Sequence, residues 1–165
     1  MIFAEIIEKI NLQFGEGFLS QVNAEAKQPF VVIDKNKLLD LAKFLQQSEG
    51  LYFDHLACIT TIDNRKKANK FEVIYHLDSL VYLHSFVIYI DLVADQELSV
   101  PSLESIWRSA DWHEREAYDL MGITFDNHPN MTRILLPRDW EGHPLRKDYE
   151  EQKYYHGITV KYENE

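Results

Sequence analysis

Apolar residues at positions 2, 3, 6, 7, 10 and 14 share one face of a helix, and Gly15 and Gly17 follow them. The spacing predicts a helix over 2–14 that ends at the glycines. FVVI (30–33) reads as a short strand. Asp34 is placed to cap a helix running to Gln47, with Leu38, Leu41, Ala42 and Leu45 on one face. Three strand-like runs come next: FDHLACITTID (53–63), rich in apolar and β-branched residues, the alternating FEVIYHLDS (71–79), and HSFVIYIDLV (84–93). The connections at 64–70 and 79–84 are short enough for hairpins. The pattern predicts three successive antiparallel strands joined by the earlier one. The expected class is α+β: a mixed, largely antiparallel sheet of about four strands with helices on one face.

Two short helices are expected after the strands. SVPSLESIW (99–107) has its proline near the start, where a missing N–H costs little. SADWHEREAYDLMG (109–122) has Asp111 and Glu114 at the spacing of a capping box, and Gly122 is placed as a left-handed stop. Beyond Phe125 the periodicity fades. Pro129, Pro137 and Pro144 each push their predecessor into an extended conformation. The reading is an α+β domain over residues 1–125 followed by an extended docking arm over 126–165.

The chain has 165 residues, 45% of them hydrophobic, which suits one domain with one core. No apolar run approaches the roughly 20 residues of a membrane-spanning helix. The N-terminus carries Glu5 and Glu8 within its apolar pattern, unlike a secretory signal. The formal charge of −10 is spread along the chain, which argues against nucleic-acid binding. The basic cluster Arg65-Lys66-Lys67 with Lys70 reads as a solvated hairpin tip. A single cysteine, Cys58, allows neither an internal disulfide nor a four-thiolate iron–sulfur site, and reads as a small buried hydrophobe.

The 109–122 helix holds the candidate chemistry. His113-Glu114 begins like the HExxH zinc motif, but Ala117 stands where the second imidazole belongs. Glu114, Arg115, Glu116 and Asp119 carry charge enough for acid–base work. A fixed joint, with Arg115 partly buried between carboxylates, is the favoured reading. No phosphate-binding glycine loop and no GxSxG elbow is present. In the arm, Arg133, Arg138 and Arg146 suit carboxylates at an interface, and Trp140, Tyr149, Tyr154 and Tyr155 are anchor types. Such an arm seats these groups on its own domain, on another chain, or on both.

The run WHEREAYDLMGITFDNHPNMTRILLPRDWEGHPLRKDY (112–149) closely resembles the 30 kDa subunit, the C subunit in bacteria, of proton-pumping NADH:quinone oxidoreductase, respiratory complex I. The matching pieces are Glu114-Arg115-Glu116, Asp119, Gly122-Ile123, His128-Pro129, Arg133-Ile134-Leu135 and Glu141 through Tyr149. Two departures stand out: Thr132 takes the place of the first of two basic residues, and Glu150 follows Tyr149 where proline is usual. The resemblance implies a subunit without redox groups, flavin and iron–sulfur clusters being held by partner subunits. It implies a place in the hydrophilic arm beside the 49 kDa subunit, peripheral to the cytoplasmic face of a bacterial membrane. Membrane association would then be indirect, through the complex. It assigns structural and interface roles to Glu114, Arg115, Glu116, Asp119, His128, Arg133, Arg138, Trp140, His143, Arg146, Lys147, Asp148 and Tyr149, with no catalytic, cofactor-binding or metal-binding residue. The equivalent subunit of a membrane-bound hydrogenase or of another donor:quinone reductase is the neighbouring alternative. A standalone acid–base enzyme using His113, Glu114 and Glu116, or a general peptide-binding adaptor, are the others.

Overall fold

The computed structural model describes residues 2–160; the arm's expected last residues, 161–165, lie outside them. Helix α1 (Phe3–Phe14) opens the chain with its apolar face, Ile6 and Ile10, fully buried. Strands β1 (Gln21–Asn23) and β2 (Phe30–Ile33) form an antiparallel pair. The Asp34 carboxylate accepts the Asn36 N–H and starts a 3₁₀ turn, Lys35–Lys37, that leads into α2 (Leu38–Gln47). Leu38, Leu41, Ala42 and Leu45 are the buried residues of α2, at the spacing the sequence predicts.

Strands β3 (His55–Asp63), β4 (Lys70–Ser79) and β5 (His84–Val93) form an antiparallel meander. In β4 and β5 the period-2 alternation places Phe71, Val73, Tyr75, Leu77, Phe86, Ile88, Ile90 and Leu92 in one core with α1 and α2. β2 joins β5 in parallel, with Val31, Val32 and Ile33 opposite Ile88, Tyr89 and Ile90. The five-stranded order is β1-β2-β5-β4-β3. The fold is therefore α+β with a mixed sheet. The strand beyond the expected four is β1, three residues whose pairing supplies what their sequence does not signal.

Three expectations change. SVPSLESIW is not a helix: β6 (Ser99–Pro101) pairs in parallel with β7 (Thr124–Asp126), and turns follow it. Pro101 sits at the end of that strand, where its missing donor is tolerated. The 64–70 connection is not a bare hairpin turn but one short helix, α3 (Arg65–Ala68), closed by Asn69 at φ 49°. Cys58 is half-buried rather than buried, on the β3 edge of the sheet. Helix α4 (Ala110–Met121) forms as expected and packs on β3, burying Ala110, Ala117 and Met121. Beyond β7 the only regular pairing among the described residues is a small hairpin of β8 (Tyr154–Tyr155) with β9 (Ile158–Thr159).

Candidate functional site

Helix α4 ends at Gly122, which adopts φ 69°. An α-helix leaves its last carbonyls without helical partners. Here the arm supplies every one. The Asp119 carbonyl accepts from Arg133 Nη1 and His143 Nδ1, both at 3.0 Å. The Leu120 carbonyl accepts the Leu145 N–H at 3.0 Å. Met121 and Gly122 carbonyls accept Arg146 Nε at 2.7 Å and Nη2 at 3.2 Å. Two guanidiniums thus sit at the negative end of the helix dipole, where cations are favoured. Gly122 is required twice over. Its φ suits glycine, and a Cβ there would stand 2.5 Å from both the Arg146 guanidinium and the His143 ring.

Asp119, fully buried, is the centre of the joint. Its Oδ2 accepts three consecutive main-chain N–H groups, from Ile134, Leu135 and Leu136, at 2.8–3.0 Å. Its Oδ1 pairs with Arg133 Nη1 at 2.7 Å. Burial works to raise the Asp119 pKa, but the Leu136 N–H, Arg133 and the Leu135 and Ile134 N–H groups outweigh it, and the net shift is downward. Arg133 also donates to the Gly142 carbonyl, so one guanidinium ties α4 to both ends of the arm's first stretch. Burial is the main force lowering the His143 pKa.

The arm is fastened a second time at the β3–β4 turn. Asp63, almost fully buried, accepts the Lys147 N–H at 2.9 Å and a two-pronged contact from Arg65. Arg65 reaches on to Asp148 with two bonds of 2.8 and 2.6 Å. The Arg65 contact holds the Asp63 carboxyl well below the usual carboxylate range and the Asp148 carboxyl at about 2. Arg65 and Arg146 both lie over the Phe71 ring. The basic cluster is therefore only partly a solvated tip. Lys66 and Lys67 are exposed, whereas Arg65 is the clasp between turn and arm.

The other end of α4 holds a different kind of site. The expected capping box is absent: the N-cap is Ser109, whose side chain makes no cap bond, and its Oγ donates instead to the Leu56 carbonyl. Glu114 is fully buried and accepts from Ser102 Oγ at 2.6 Å and the Leu103 N–H at 2.7 Å. Burial pushes its carboxyl up to about 7 against those two bonds, and the nearby Glu104 and Asp111 charges push the same way. The His128 ring is buried with Nδ1 accepting the Asn130 N–H, so the ring hydrogen sits on Nε2. That atom is 3.1 Å from Asp111 Oδ1, out of line for a hydrogen bond, and 4.0 Å from Glu114 Oε2, too far for one.

Arg115 does not lie between carboxylates. It donates to the Thr132 carbonyl and hydroxyl, and the residue that pairs with Asp119 is Arg133. Glu116 is exposed beside a cavity of about 320 Å³ between β3 and α4, lined by Cys58, Thr60, His113, Ala117, Leu120 and Leu145 among others. Arg138 is exposed and forms no ion pair among the described residues. Trp140 packs on Tyr155 at 5.3 Å, and Tyr149 packs under Gly142. Among the described residues no three His, Cys, Asp or Glu side chains gather as a metal site. Sequence reasoning did not single out Arg65, Asp63 or Ser102 as site residues. Their partners in α4 and the arm lie 12 to 84 residues away, beyond any local spacing rule.

Fold and joint together define a small α+β domain whose arm is clasped to its own helix end and β3–β4 turn. The chain belongs to the family of the 30 kDa subunit of respiratory-chain NADH dehydrogenase, whose model matches residues 31–155. It is 39% identical over 155 residues to the C subunit of NADH-quinone oxidoreductase from Chloroherpeton thalassium, covering 93% of this chain and 63% of that protein, under two thirds of its length. With the corresponding subunit of Chlorobium phaeobacteroides it shares 38% over 151 residues, covering 91% and 90%. In the C/D subunit of Acinetobacter baylyi the matching part, also 38% identical, is 25% of the protein and 87% of this chain. The fold is that of a trypsin-resistant fragment of Nqo5 (TM-score 0.64, 23% identity, 79% of this chain and 99% of the fragment). It is also that of a chain in an archaeal membrane-bound sulfane sulfur reductase complex (TM-score 0.76, 20% identity, 98% of this chain and 95% of that one).

Proposed function

We propose that this chain is a non-redox structural subunit of the peripheral arm of an NADH:quinone oxidoreductase, the complex that passes electrons from NADH to quinone and moves protons across the membrane. One observation carries the reading: the run that bears the family resemblance is the run that closes the α4 helix end and ties it to the β3–β4 turn. The charges of that run, Asp119, Arg133, Arg146 and Asp148, are engaged in holding the arm to the domain, which supports an architectural role. In this reading flavin and iron–sulfur clusters belong to partner subunits, and the 49 kDa-type subunit is the neighbour the arm grips. The chain sits at the cytoplasmic face of the membrane through the complex. No helix among the described residues is long and apolar enough to cross a membrane. Leu135 and Leu145 at the joint, and Trp112 in the first turn of α4, have 60 to 67% of their surface exposed, apolar area that a neighbour would cover.

The test is a native pull-down. The chain is tagged in its host, membranes are solubilised in mild detergent, and co-purifying subunits are identified while NADH:quinone turnover is measured. Iron–sulfur and membrane subunits with that activity are expected. Arg146→Ala and Trp140→Ala should each lower the amount of assembled complex; normal assembly and turnover in both would sink the proposal. The same fold occurs in a membrane-bound sulfane sulfur reductase complex, so the electron-input subunits that co-purify decide between the two kinds of machine.

A further inference from the structure

The β4–β5 hairpin tip, far from the arm's clasp, is built against the usual chemistry of turns. Such tips favour Asn, Asp and Gly, which take left-handed backbone at little cost. Here the tip is Leu80-Val81-Tyr82-Leu83, exposed by 63, 62, 45 and 88%. Leu83 adopts φ 53° and the adjacent loop's Tyr52 φ 37°, both left-handed without being glycine. Tyr52 is itself 47% exposed. Left-handed backbone at a large side chain is unfavourable and persists only where surroundings enforce it.

The surroundings do enforce it. Leu80 N–H donates to Asp54 Oδ1 at 2.8 Å, and Tyr82 N–H to Ser79 Oγ at 3.3 Å. The buried His84 ring holds the Leu51 carbonyl at 2.8 Å, and the Tyr82 ring lies parallel to it at 5.9 Å. The result is a preorganised apolar knob, and preorganisation lowers what ordering would cost on binding.

Charge selects the occupant. Between residues 48 and 54 and between 77 and 85 the ionisable side chains besides tyrosine are Glu49, Asp54, Asp78 and His84; one lysine, Lys9 of α1, reaches the Glu49 carbonyl at 2.9 Å, so acid still outnumbers base around the tip. A negative lipid surface attracts basic segments, so an acid-rimmed knob on a chain of charge −10 is the wrong sign for it. Two copies meeting tip to tip would oppose like charges. We propose that the 80–83 tip, with Tyr52, is an anchor that inserts into an apolar pocket rimmed by lysine or arginine on a different protein chain. It is a second docking surface, separate from the arm. The proposal rests on the subunit reading above and extends it.

The experiment places a photoreactive benzoylphenylalanine at Leu83 in the full chain within its host, and compares wild type with Leu83→Asp and Val81→Asp in the detergent pull-down. The side chains replaced are exposed, and an unchanged melting temperature of the isolated chain checks that folding is intact. A cross-link to a peptide of another subunit that bears apolar and basic residues is expected. So is about a tenfold fall in partner recovery with each aspartate. A cross-link to lipid or to a second copy, or full recovery with both aspartates, overturns the anchor while leaving the subunit reading in place. Wild type that recovers no partner overturns both.

Discussion

Helix α4 carries two fully buried carboxylates five residues apart, Glu114 and Asp119, and their chemistry diverges. Glu114 meets two neutral donors and two nearby carboxylates, and its pKa rises to about 7. Asp119 meets a guanidinium and three main-chain N–H groups, and its pKa falls. Burial opposes charge at both. What differs is the number of donors and the presence of a cation. The two ends of one helix are thus held by different physics. The Asp119 end is an ionic clasp, and the Glu114 end is a carboxyl poised between protonated and ionised near neutral pH.

The largest break in that contrast comes from Asp119→Asn. It leaves the partly buried Arg133 without its ion pair and presents an amide N–H₂ where the Ile134–Leu136 N–H groups or Arg133 need an acceptor. A loss of about 3–5 kcal/mol is expected, as for a buried pair deprived of one partner. Urea denaturation measures it, and limited proteolysis between 130 and 150 should quicken. A stability change under about 1 kcal/mol would mean that the arm is held elsewhere.

The next effect is a dependence on pH with opposite signs at the two ends. Because the folded Glu114 carboxyl titrates near 7, above its unfolded value near 4.5, its contribution is fully present below pH 4.5 and is lost as pH rises to about 7. The loss reaches at most ~3 kcal/mol. Asp119, lowered on folding, contributes above its ordinary 3.8 and is lost as pH falls below that value. Glu114→Gln keeps an acceptor for the Leu103 N–H and can donate to Ser102 Oγ. Melting temperatures between pH 4.5 and 8 should therefore fall less in the variant, making it the more stable protein at pH 8. Parallel curves would show that Glu114 does not titrate in that range.

Gly122→Ala sharpens the comparison by striking one end only. Left-handed strain and the encounter with Arg146 and His143 should cost about 2 kcal/mol, with the Glu114-linked pH slope unchanged. The smallest effect is expected from Arg115→Ala. Its two contacts to Thr132 are long and partly exposed, so about 0.5–1 kcal/mol is the expected loss, read from the same denaturation midpoints.

Much of this was legible along the chain and some was not. The α4 span and its left-handed stop followed from periodicity and Gly122, because helix ends are local events. The meander followed for the same reason: alternation and short connections are local. The capping box misled, since Glu114 has the right spacing but finds better donors in Ser102 and Leu103 of the preceding segment. SVPSLESIW misled because Ser99–Pro101 pairs with Thr124–Asp126, which a local window does not see. The joint's residue types were visible, yet the partners were not. Asp119 is five residues from Glu114 and four from Arg115, but its cation is Arg133, brought in by the arm's fold. Arg65 looked like solvent-facing charge because its second carboxylate, Asp148, is 83 residues away.

The clasp between Arg65, Asp63 and the Lys147–Asp148 step also sets an order of events. Its acceptors and donors span the β3–β4 turn, the finished end of α4 and an arm that leaves the ribosome after both. The Met121 and Gly122 carbonyls become fixed targets for Arg146 only once α4 has formed, and Asp63 only once the meander has closed. The docked geometry of the arm therefore depends on both elements being in place. Docking of the arm thus reports on the domain beneath it, because the carbonyls and the carboxylate it engages belong to the finished α4 end and the closed meander.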